Sequence, residues 1–350
     1  MTRLLMITNS SSGGGAEKVF NSLVEGFKGE GSLSASHLYL QGESSHKLWK
    51  LFAIFKFIWV LIRLRPDVVQ SHLLFPNMLN VVLSRVFRYK SQIVCHSSFE
   101  RFKNTKLEKV IRALYRGAHS IICVSKEMAN QAKVFLDKAD GIETIYNPHL
   151  LATYEELSQQ HYEKYFDNYF IVVGRLIKSK QVKSIIEVLR QVDETENLLI
   201  VGNGPEYEPL SNYVNRLDLT HRVKFTGLLS NPYPYIKNAK AMILASETEG
   251  FPNCLVEAFA LGVPVITSNC KTGPAELLGV SYEDTELRRV YKNSFIYPVN
   301  DVGALKKSIE DFNSLHTDLE GLKLAVAALN IDNVVKQYIE SIKLTLTTKS

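Results

Sequence analysis

Short apolar runs alternate with longer stretches whose apolar residues recur at helical spacing, and this alternation fills the first 150 residues. Continuous apolar runs separated by amphipathic stretches are typical of parallel strands joined by helices that cover both faces of a sheet. The pattern predicts strands at Leu4–Ile7, Ser36–Leu40, Val68–His72, Gln92–His96 and Ser120–Val124. It predicts helices at Ala16–Phe27, Lys47–Leu64, Met78–Phe87, Lys106–Arg116 and Lys126–Leu136.

The same pattern begins again after a polar, acidic stretch at 151–168, which is the expected linker. The chain therefore indicates two doubly wound α/β domains in tandem, expected at 1–160 and 161–335. Ligands of such sheets bind beyond the carboxyl ends of the strands, so a site in a cleft between the domains is expected. The second set of strands is Tyr169–Val173, Asn197–Val201, Val223–Phe225, Ala241–Ala245 and Val263–Thr267, and the helices are Lys180–Arg190, Glu206–Arg216, Asn253–Leu261 and Gly303–Phe312.

Composition narrows the class of protein. The 350 residues are 45% hydrophobic and 22% charged, which is ordinary for a globular chain and excludes disorder as the main state. The four cysteines are far apart and have no CxxC spacing. This spacing argues against a zinc ribbon, a dithiol redox site and a disulfide scaffold. The first apolar stretch is too short for a secretory signal and is expected to be a strand.

The net charge of +5 is unevenly distributed. Residues 1–150 contain 20 basic and 11 acidic side chains, whereas residues 151–350 contain 21 and 25. Within the first part, residues 46–116 contain 14 basic and 3 acidic side chains. A patch of this kind favours an anionic partner, which could be a nucleic acid, a membrane surface or a phosphorylated substrate.

Two glycine-containing loops follow predicted strands and open helices. The first, Gly13-Gly14-Gly15-Ala16-Glu17, could contact an anion or a sugar through free helix N–H groups, or could simply cap the helix. The second contains Gly202 and Gly204 in Val201–Pro205. It could turn tightly against a nucleotide or form an ordinary strand-to-helix turn.

A third loop carries cations. Arg175, in Gly-Arg-Leu, lies just after the predicted strand Tyr169–Val173, and Lys180 lies five residues beyond Arg175. The two side chains could converge on a pyrophosphate, or they could form a solvated basic loop together with Lys178.

The segment EGFPNCLVE, from Glu249 to Glu257, carries the strongest signal. Pro252 suits the first turn of a helix, so the helix should begin near Asn253 and its first amides should be free to hold a phosphate. Glu249 and Glu257 flank this position and can accept hydrogen bonds from hydroxyl groups. A phosphate between two hydroxyl acceptors describes a nucleotide sugar, whereas two solvated glutamates near a helix start are the structural alternative.

In order and spacing, these motifs resemble the retaining GT-B glycosyltransferases of the family 4 type over about residues 4–279. The matching elements are the loop from Gly14 to Glu17, Gly-Arg-Leu with Lys180, Gly-Asn-Gly-Pro, and the pair Glu249 and Glu257. The resemblance implies two Rossmann-like domains that face each other across a cleft. It also implies a last helix near Asn333–Ile342 that returns to the first domain, with 336–350 as its expected extent.

The resemblance implies roles for individual residues. Glu249 would contact the transferred sugar and would share the catalytic site with a histidine. The donor diphosphate would be bound by Arg175, Lys180 and the amides near Asn253, Cys254 and Leu255. The ribose and base would lie against Glu257, Gly202, Gly204, Gly227 and Leu228, and the early glycine loop would contribute Gly14 and Gly15.

In that family a histidine at the end of an N-domain strand lies near the reacting sugar. His96 and His72 both end predicted strands; His96 matches the family better, and His72 is expected to be a hydrogen-bonded loop residue. The resemblance also implies retention by front-face attack, in which the leaving phosphate takes the proton of the acceptor. Since the sequence has no Asp-x-Asp and offers two cations, neither a metal nor a cofactor is expected.

The predicted helix Lys47–Leu64 is apolar around its whole circumference. Aromatic residues interleaved with cations are typical of a helix that lies among lipid headgroups, and the cations leave no span that crosses a bilayer. The alternative is a helix sandwiched inside the domain. At 100° per residue, Trp49, Phe52, Lys56, Trp59 and Arg63 share the expected membrane face, and Leu51, Ile54, Phe55, Ile58, Leu61 and Ile62 share the opposite one. The helix Lys106–Arg116 would add a basic face of Lys106, Lys109, Arg112 and Arg116.

The expected function is transfer of a hexose or N-acetylhexosamine from a nucleotide diphosphate sugar, with UDP favoured by family frequency. The expected acceptor is a lipid-linked glycan at an anionic membrane, and the expected location is peripheral, on its cytoplasmic face. Three alternatives remain: a GT-B nucleotide-sugar epimerase, a basic nucleic-acid-binding protein and a catalytically silent binding protein. Nucleic acid is not an expected partner, because nothing resembles a recognition module.

Overall fold

The computed structural model describes residues 1–11, 14–28, 30–41, 48–283, 288–290, 294–312 and 319–347, without the side chains of 288–290, 319 and 320. It divides into two units. Unit 1 combines Met1–His149 with Leu329–Ser350, and unit 2 is Leu150–Ala328.

Unit 1 is a parallel sheet with helices between its strands. The sheet has six strands in the order β2-β1-β3-β4-β5-β6, and every neighbouring pair is parallel. The strands are β1 (Thr2–Thr8), β2 (Leu33–Tyr39), β3 (Val68–His72), β4 (Lys90–Cys95), β5 (Ser120–Cys123) and β6 (Ile142–Thr144). The helices are α1 (Gly15–Phe27), α2 (Trp49–Leu64), α3 (Leu74–Phe87), α4 (Glu108–Arg116), α5 (Lys126–Leu136) and, after unit 2, α14 (Ile331–Thr347).

Unit 2 repeats this architecture. Its sheet has the order β12-β13-β11-β10-β7-β8-β9, and β12 is the strand that runs antiparallel to its neighbour. The strands are β7 (Phe170–Val173), β8 (Leu198–Val201), β9 (Val223–Gly227), β10 (Ala241–Leu244), β11 (Val265–Ser268), β12 (Arg288–Val290) and β13 (Ser294–Tyr297). The helices are α6 (Leu151–Leu157), α7 (Val182–Leu189), α8 (Tyr207–Arg216), α9 (Tyr233–Lys237), α10 (Asn253–Ala260), α11 (Pro274–Leu278), α12 (Val302–Phe312) and α13 (Leu319–Val326).

Both sheets are buried because their strands are apolar on both faces. Every residue of β3, β5, β8, β10, β11 and β13 is buried. Each amphipathic helix contributes one apolar face; in α1 this face is Val19, Phe20, Leu23 and Phe27. Burial on both faces is what continuous apolar strands need, so the predicted α/β architecture is confirmed.

The division between the units differs from the expected boundaries. Part of the expected linker 151–168 forms the short helix α6, which packs against α9 and α10 within unit 2. The division therefore falls at 149/150 and not at 160/161, because α6 makes its contacts with α9 and α10 of unit 2. The last helix begins at Ile331, before the expected start at 336, and packs on α1 and β4 of unit 1.

Helix α2 packs on unit 1 through a narrow face formed by Ala53, Phe57 and Leu61. Its other side exposes large apolar side chains, with Phe52 64%, Phe55 62%, Trp59 59% and Ile62 59% exposed. We call Phe52, Phe55, Lys56, Trp59, Ile62 and Arg63 the α2 outer face; all six are exposed. Within the described ranges, no helix is long and apolar enough to cross a bilayer.

The rotation of α2 corrects two sequence predictions. Trp49 was expected on the membrane face but is half-buried, with its ring meeting Phe75 at a centroid distance of 5.3 Å. Phe55 and Ile62 were expected on the opposite face but belong to the outer face. The two cations of the outer face mark only part of the exposed side of this helix, and apolar residues surround the rest, so side-chain packing against the sheet decides which apolar residues are buried.

The expected basic helix is also shorter and less basic than its sequence suggested. Helix α4 begins at Glu108, so Lys106 precedes it, and Lys109 is exposed. Arg112 is not a free cation: it forms an ion pair of 3.0 Å with Glu108 and lies 5.0 Å above the ring of Phe135.

Candidate active site

The strand order of unit 2 brings the predicted donor-binding residues together. The chain runs from β7 to β8 and β9 on one side of β7, whereas β10 lies on its other side. Loops after β7 and β10 therefore diverge around one crevice, the place where open α/β sheets bind ligands. Arg175 and Lys180 follow β7 and Glu249 follows β10, and Lys180 Nζ donates a hydrogen bond of 2.5 Å to Glu249 Oε1.

The ion pair is partly shielded from water, with side-chain exposures of 22% for Lys180 and 12% for Glu249. Burial is the largest single influence and lowers the pKa of Lys180, but the charge of Glu249, its hydrogen bond and the nearby Cys254 and Cys270 together outweigh burial, so the net pKa is raised and the ammonium stays protonated. Arg175 is exposed and has no ion-pair partner in the described part of the chain. The crevice thus offers one paired cation and one unpaired cation.

The glycines of two loops serve close backbone packing. A Cβ on Gly202 would lie 1.8 Å from Gly174 O, and a Cβ on Gly204 would lie 2.3 Å from Leu176 O. Between these contacts, Leu176 N donates to Asn203 O at 2.9 Å. The Gly-Asn-Gly loop therefore supports the Gly-Arg-Leu loop from behind and fixes the position of Arg175.

Helix α10 begins at Asn253, as predicted, but two of its three expected free amides are engaged. Asn253 N donates to Phe251 O and Leu255 N donates to Pro252 O, both at 3.0 Å. The first turn is tightened, and this satisfies amides that a regular α-helix leaves open. Burial raises the pKa of the Cys254 thiol to about 12, so this side chain is an uncharged thiol at neutral pH.

A segment that the sequence analysis did not single out supports Glu249. Thr272 Oγ1 donates to the backbone oxygens of Glu249 and Gly250 at 2.6 and 2.8 Å. Gly273 has a φ of +98°, and a Cβ there would lie 2.4 Å from Pro252 Cδ. The pair Gly273-Pro274, where the loop after β11 meets α11, is the sequence signal that could have identified this supporting loop.

Glu257 is 6% exposed and lies beside two tyrosines that the sequence analysis missed. Tyr154 of α6 and Tyr233 of α9 stack with ring centroids 4.6 Å apart. Burial raises the pKa of both phenols, and the charge of Glu257 raises it further. Gly227 ends β9, and Leu228 directly after it is 78% exposed.

In unit 1, the side chain of Glu17 caps the N-terminus of helix α1, at the early glycine loop. Glu17 Oε2 accepts a hydrogen bond from Gly14 N at 2.9 Å, and Gly15 is the first residue of α1. The carboxylate places negative charge at the helix N-terminus, where it stabilises the helix and opposes a bound anion. The described residues thus favour the helix-cap alternative; Gly13 lies outside the described residues.

The two histidines meet at the carboxyl ends of neighbouring strands of unit 1. His72 is the last residue of β3 and fully buried, whereas His96 directly follows β4 and is half-buried. His72 Nδ1 and His96 Nε2 are 2.9 Å apart. Burial lowers the pKa of both imidazoles, that of His96 to about 4, so both are neutral at pH 7. His72 makes hydrogen-bond contacts, as expected, and it ends β3 at the predicted strand boundary and does not lie in the following loop.

Behind the histidines lie two buried glutamines that the sequence analysis also missed. Gln70 of β3 and Gln92 of β4 are register partners, and Gln70 Nε2 donates to Gln92 Oε1 at 2.8 Å. Their signal in the sequence was an amide in each of two consecutive predicted strands, at the middle of Val68–His72 and at the start of Gln92–His96. Among the described residues, no group of three or more His, Cys, Asp or Glu side chains is placed to hold a metal ion.

Two family models match this chain in succession. "Glycosyltransferase Family 4" matches residues 27–149, and "Glycosyl transferases group 1" matches residues 153–320. The chain belongs to the family 4 glycosyltransferases.

Curated relatives of this glycosyltransferase are about a quarter identical to it over the aligned residues. An uncharacterized glycosyltransferase of Methanocaldococcus jannaschii, MJ1059, is 26% identical over 71% of this chain and 68% of its own length. The amylovoran biosynthesis glycosyltransferase AmsD of Erwinia amylovora is 28% identical over 73% of this chain and 74% of its own length. A third relative is an N-acetylgalactosaminyltransferase of Campylobacter jejuni, whose name includes N-acetylgalactosamine-N,N'-diacetylbacillosaminyl-diphospho-undecaprenol. It is 26% identical over 64% of this chain and 70% of its own length.

Solved structures confirm the GT-B fold of this glycosyltransferase. Anabaena Alr3699/HepE, crystallised with UDP and glucose, matches with a TM-score of 0.79 and 18% identity over 98% of this chain and 100% of its own. The lipopolysaccharide outer core galactosyltransferase WaaB in its apo form matches with a TM-score of 0.72 and 18% identity over 98% of this chain and 99% of its own.

Proposed function

We propose that this glycosyltransferase moves a hexose or N-acetylhexosamine from a UDP-sugar to a lipid-linked glycan, with retention of anomeric configuration and without a metal or cofactor. The observation that carries the donor assignment is the pairing of Lys180 with Glu249 beside the unpaired Arg175. A lysine ammonium has three N–H groups, so Lys180 can hold Glu249 and a phosphate oxygen at once. The HepE structure with UDP supports UDP as the nucleotide.

The mechanism follows from where charge develops. Breaking the bond between the sugar C1 and the diphosphate oxygen places negative charge on the leaving group, which Arg175 and Lys180 stabilise. The acceptor oxygen forms its bond to C1 on the same face. Its proton passes to the departing phosphate oxygen, so atoms and charge balance without a protein base. Glu249, fixed by Lys180 and by the Thr272 contacts to its backbone, faces the hydroxyls of the transferred sugar.

The test of the donor site is calorimetric titration with UDP, GDP and ADP. We expect UDP to bind, and Arg175→Ala to weaken it about 10- to 100-fold, because a charged hydrogen bond contributes about 1.5–3 kcal/mol. Lys178→Ala is the matched control, since Lys178 is an exposed cation on the same loop and should change binding less than twofold. Equal affinities of the two variants would contradict the assignment. Retention is tested by the anomeric NMR signal of the product.

The proposed acceptor is lipid-linked, and the supporting surface is the α2 outer face. It combines two phenylalanines and a tryptophan with Lys56 and Arg63, and the Arg63 guanidinium lies 5.3 Å above the Trp59 ring. Exposed aromatic residues with neighbouring cations suit the headgroup region of an anionic leaflet. The name of the Campylobacter relative, which includes a diphospho-undecaprenol, supports an acceptor of this class. We therefore propose that the protein is peripheral on the cytoplasmic face of the membrane.

Flotation with vesicles of phosphatidylglycerol and phosphatidylcholine tests this part. We expect the wild-type chain to float and Phe55→Ser/Trp59→Ser to lose most of the bound fraction. Val134→Ser is the matched control, because Val134 is 77% exposed on α5, outside the outer face. Flotation of the double variant at the wild-type level would refute the membrane proposal and leave the donor assignment intact.

A further inference from the structure

A continuous line of polar side chains crosses the interior of unit 1 from His96 to the C-terminal helix. His96 Nε2 lies 2.9 Å from His72 Nδ1, and His72 Nε2 lies 3.4 Å from Gln70 Oε1. Gln70 Nε2 lies 2.8 Å from Gln92 Oε1, and Gln92 Nε2 lies 2.8 Å from Ser341 Oγ. Ser341 in turn contacts the carboxylate of Glu143. His72, both glutamines and Ser341 are at most 1% exposed, so water cannot take the place of these partners.

The carboxylate of Glu143, at the inner end of the line, fixes which group donates and which accepts in each hydrogen bond of the line. An ionised carboxylate only accepts hydrogen bonds, so the Ser341 hydroxyl donates to Glu143 and offers a lone pair to Gln92. Thr345, one turn further along α14, donates its hydroxyl to Ser341 O at 2.8 Å and also offers a lone pair to Gln92, at 3.3 Å. Two acceptors on α14 therefore turn the NH₂ group of Gln92 toward the helix and its carbonyl oxygen toward Gln70.

The same assignment of donors and acceptors extends through the amide of Gln70 to the two histidines. The NH₂ group of Gln70 donates to Gln92, so the carbonyl oxygen of Gln70 faces His72 Nε2, which must carry the hydrogen. A neutral imidazole has one N–H group, so His72 Nδ1 is an acceptor and His96 Nε2 must donate to it. The ring centroids are 5.1 Å apart and the ring planes differ by 25°, a geometry that suits this edge-to-edge hydrogen bond.

We propose that helix α14, acting through Gln92, Gln70 and His72, fixes His96 as the Nε2–H tautomer and so keeps its Nδ1 free to accept a hydrogen bond from a sugar hydroxyl of the substrate. In the described part of the chain, Nδ1 of His96 has no hydrogen-bond partner. His72, Gln70 and Gln92 are then positioning residues. The contact with a sugar hydroxyl rests on the proposed glycosyl transfer, with His96 near the reacting sugar as the family resemblance implies, whereas the tautomer does not.

Removing the two acceptor hydroxyls on α14 should reverse the donor and acceptor roles along the line. In Ser341→Ala/Thr345→Val, the NH₂ group of Gln92 loses both acceptors and is left buried without a partner, which is unfavourable. Turning both amides over restores a donor at each internal contact and leaves only a carbonyl oxygen facing α14. His72 then carries its hydrogen on Nδ1, and His96 is forced to the Nδ1–H tautomer.

The experiment is ¹⁵N NMR of the imidazole nitrogens of the full chain, with the His96 and His72 signals assigned by their loss in His96→Gln and His72→Gln. We expect the wild type to show a protonated Nε2 and an unprotonated Nδ1 in both rings. The double variant should show the inverted pattern at His96. Ser84→Ala is the matched control, because Ser84 is a buried helical serine that donates to a carbonyl of its own helix, and it should keep the wild-type pattern.

A wild-type His96 with its hydrogen on Nδ1 would overturn the proposal, and so would a folded double variant that keeps the wild-type tautomer. If the double variant does not fold, the wild-type spectrum alone decides. In turnover assays the double variant should lose about 10- to 100-fold in kcat, the range typical of groups that orient a functional imidazole. UDP affinity should stay unchanged. A fully active His96→Gln would remove the proposed role of His96 while the tautomer result stands.

Discussion

The close packing of the Gly-Asn-Gly loop behind Arg175 makes a sharp prediction about two glycines. Gly202 and Gly174 have nearly the same φ, +146° and +151°, in a region that L-residues rarely adopt. A Cβ at Gly174 meets nothing within 4 Å, whereas a Cβ at Gly202 would lie 1.8 Å from Gly174 O. Alanine at either position pays the same conformational cost, so the difference between the two variants isolates the steric contact.

The magnitude follows from this geometry. Normal carbon–oxygen contacts are about 3.3–3.6 Å, so the two loops must separate by about 1.5 Å in Gly202→Ala. The conformational cost common to both variants is about 1–3 kcal/mol. Overpacking adds about 1–3 kcal/mol, and loss of a flanking hydrogen bond adds about 1 kcal/mol. These flanking bonds are Gly174 N to Val201 O at 3.0 Å and Leu176 N to Asn203 O at 2.9 Å. Gly202→Ala should therefore be less stable than Gly174→Ala by about 2–4 kcal/mol.

The assay is urea unfolding followed by far-ultraviolet circular dichroism. Tryptophan fluorescence does not serve this purpose, since both tryptophans, Trp49 and Trp59, lie in unit 1. Calorimetric titration with UDP should show weaker binding to Gly202→Ala, because the displaced loop carries Arg175. Equal unfolding free energies of the two variants, within about 0.5 kcal/mol, would refute the steric account.

Two further predictions concern charge. Glu249→Gln removes the charged partner that helps to keep the pKa of the partly buried Lys180 raised. Initial rates of transfer should therefore fall about 10- to 100-fold, which corresponds to about 1.4–2.8 kcal/mol in the activation barrier. A change in rate below twofold would contradict a role for the pair. Burial lowers the pKa of His96 to about 4 and that of His149 to about 3. The unfolded chain therefore binds more protons below about pH 6.5, and stability should be fully present above that pH and fall toward pH 4. For His96 alone the loss would reach about 3 kcal/mol. Urea titrations at pH 7.5, 6 and 5 measure this loss. If His149→Gln and His96→Gln each kept the pH dependence of the wild type, the result would count against this account.

The placement of Arg175, Lys180 and Glu249 at strand ends was largely predictable, because it is a local property of the chain. An apolar strand followed by Gly-Arg-Leu, and a Pro252 that starts a helix, identify loops at strand ends without knowledge of the partners. The strand order of unit 2 then brought Lys180 to Glu249, 69 residues away. By contrast, the free amides expected from Asn253 to Leu255 were wrong in part, since the first turn of α10 closes hydrogen bonds that helix periodicity does not reveal.

The sequence by itself determined the tandem α/β architecture, the strand ends that carry charge and the family, because hydrophobic period and glycine-rich turns are encoded over short stretches. Only the tertiary structure decided the rotation of α2 and the line from His96 to Ser341. A helix that is apolar on most sides carries little signal for its buried face, and the contact of Gln92 with Ser341 spans 249 residues. Packing across such separations sets which polar groups meet, and with them the tautomer that a buried imidazole must adopt.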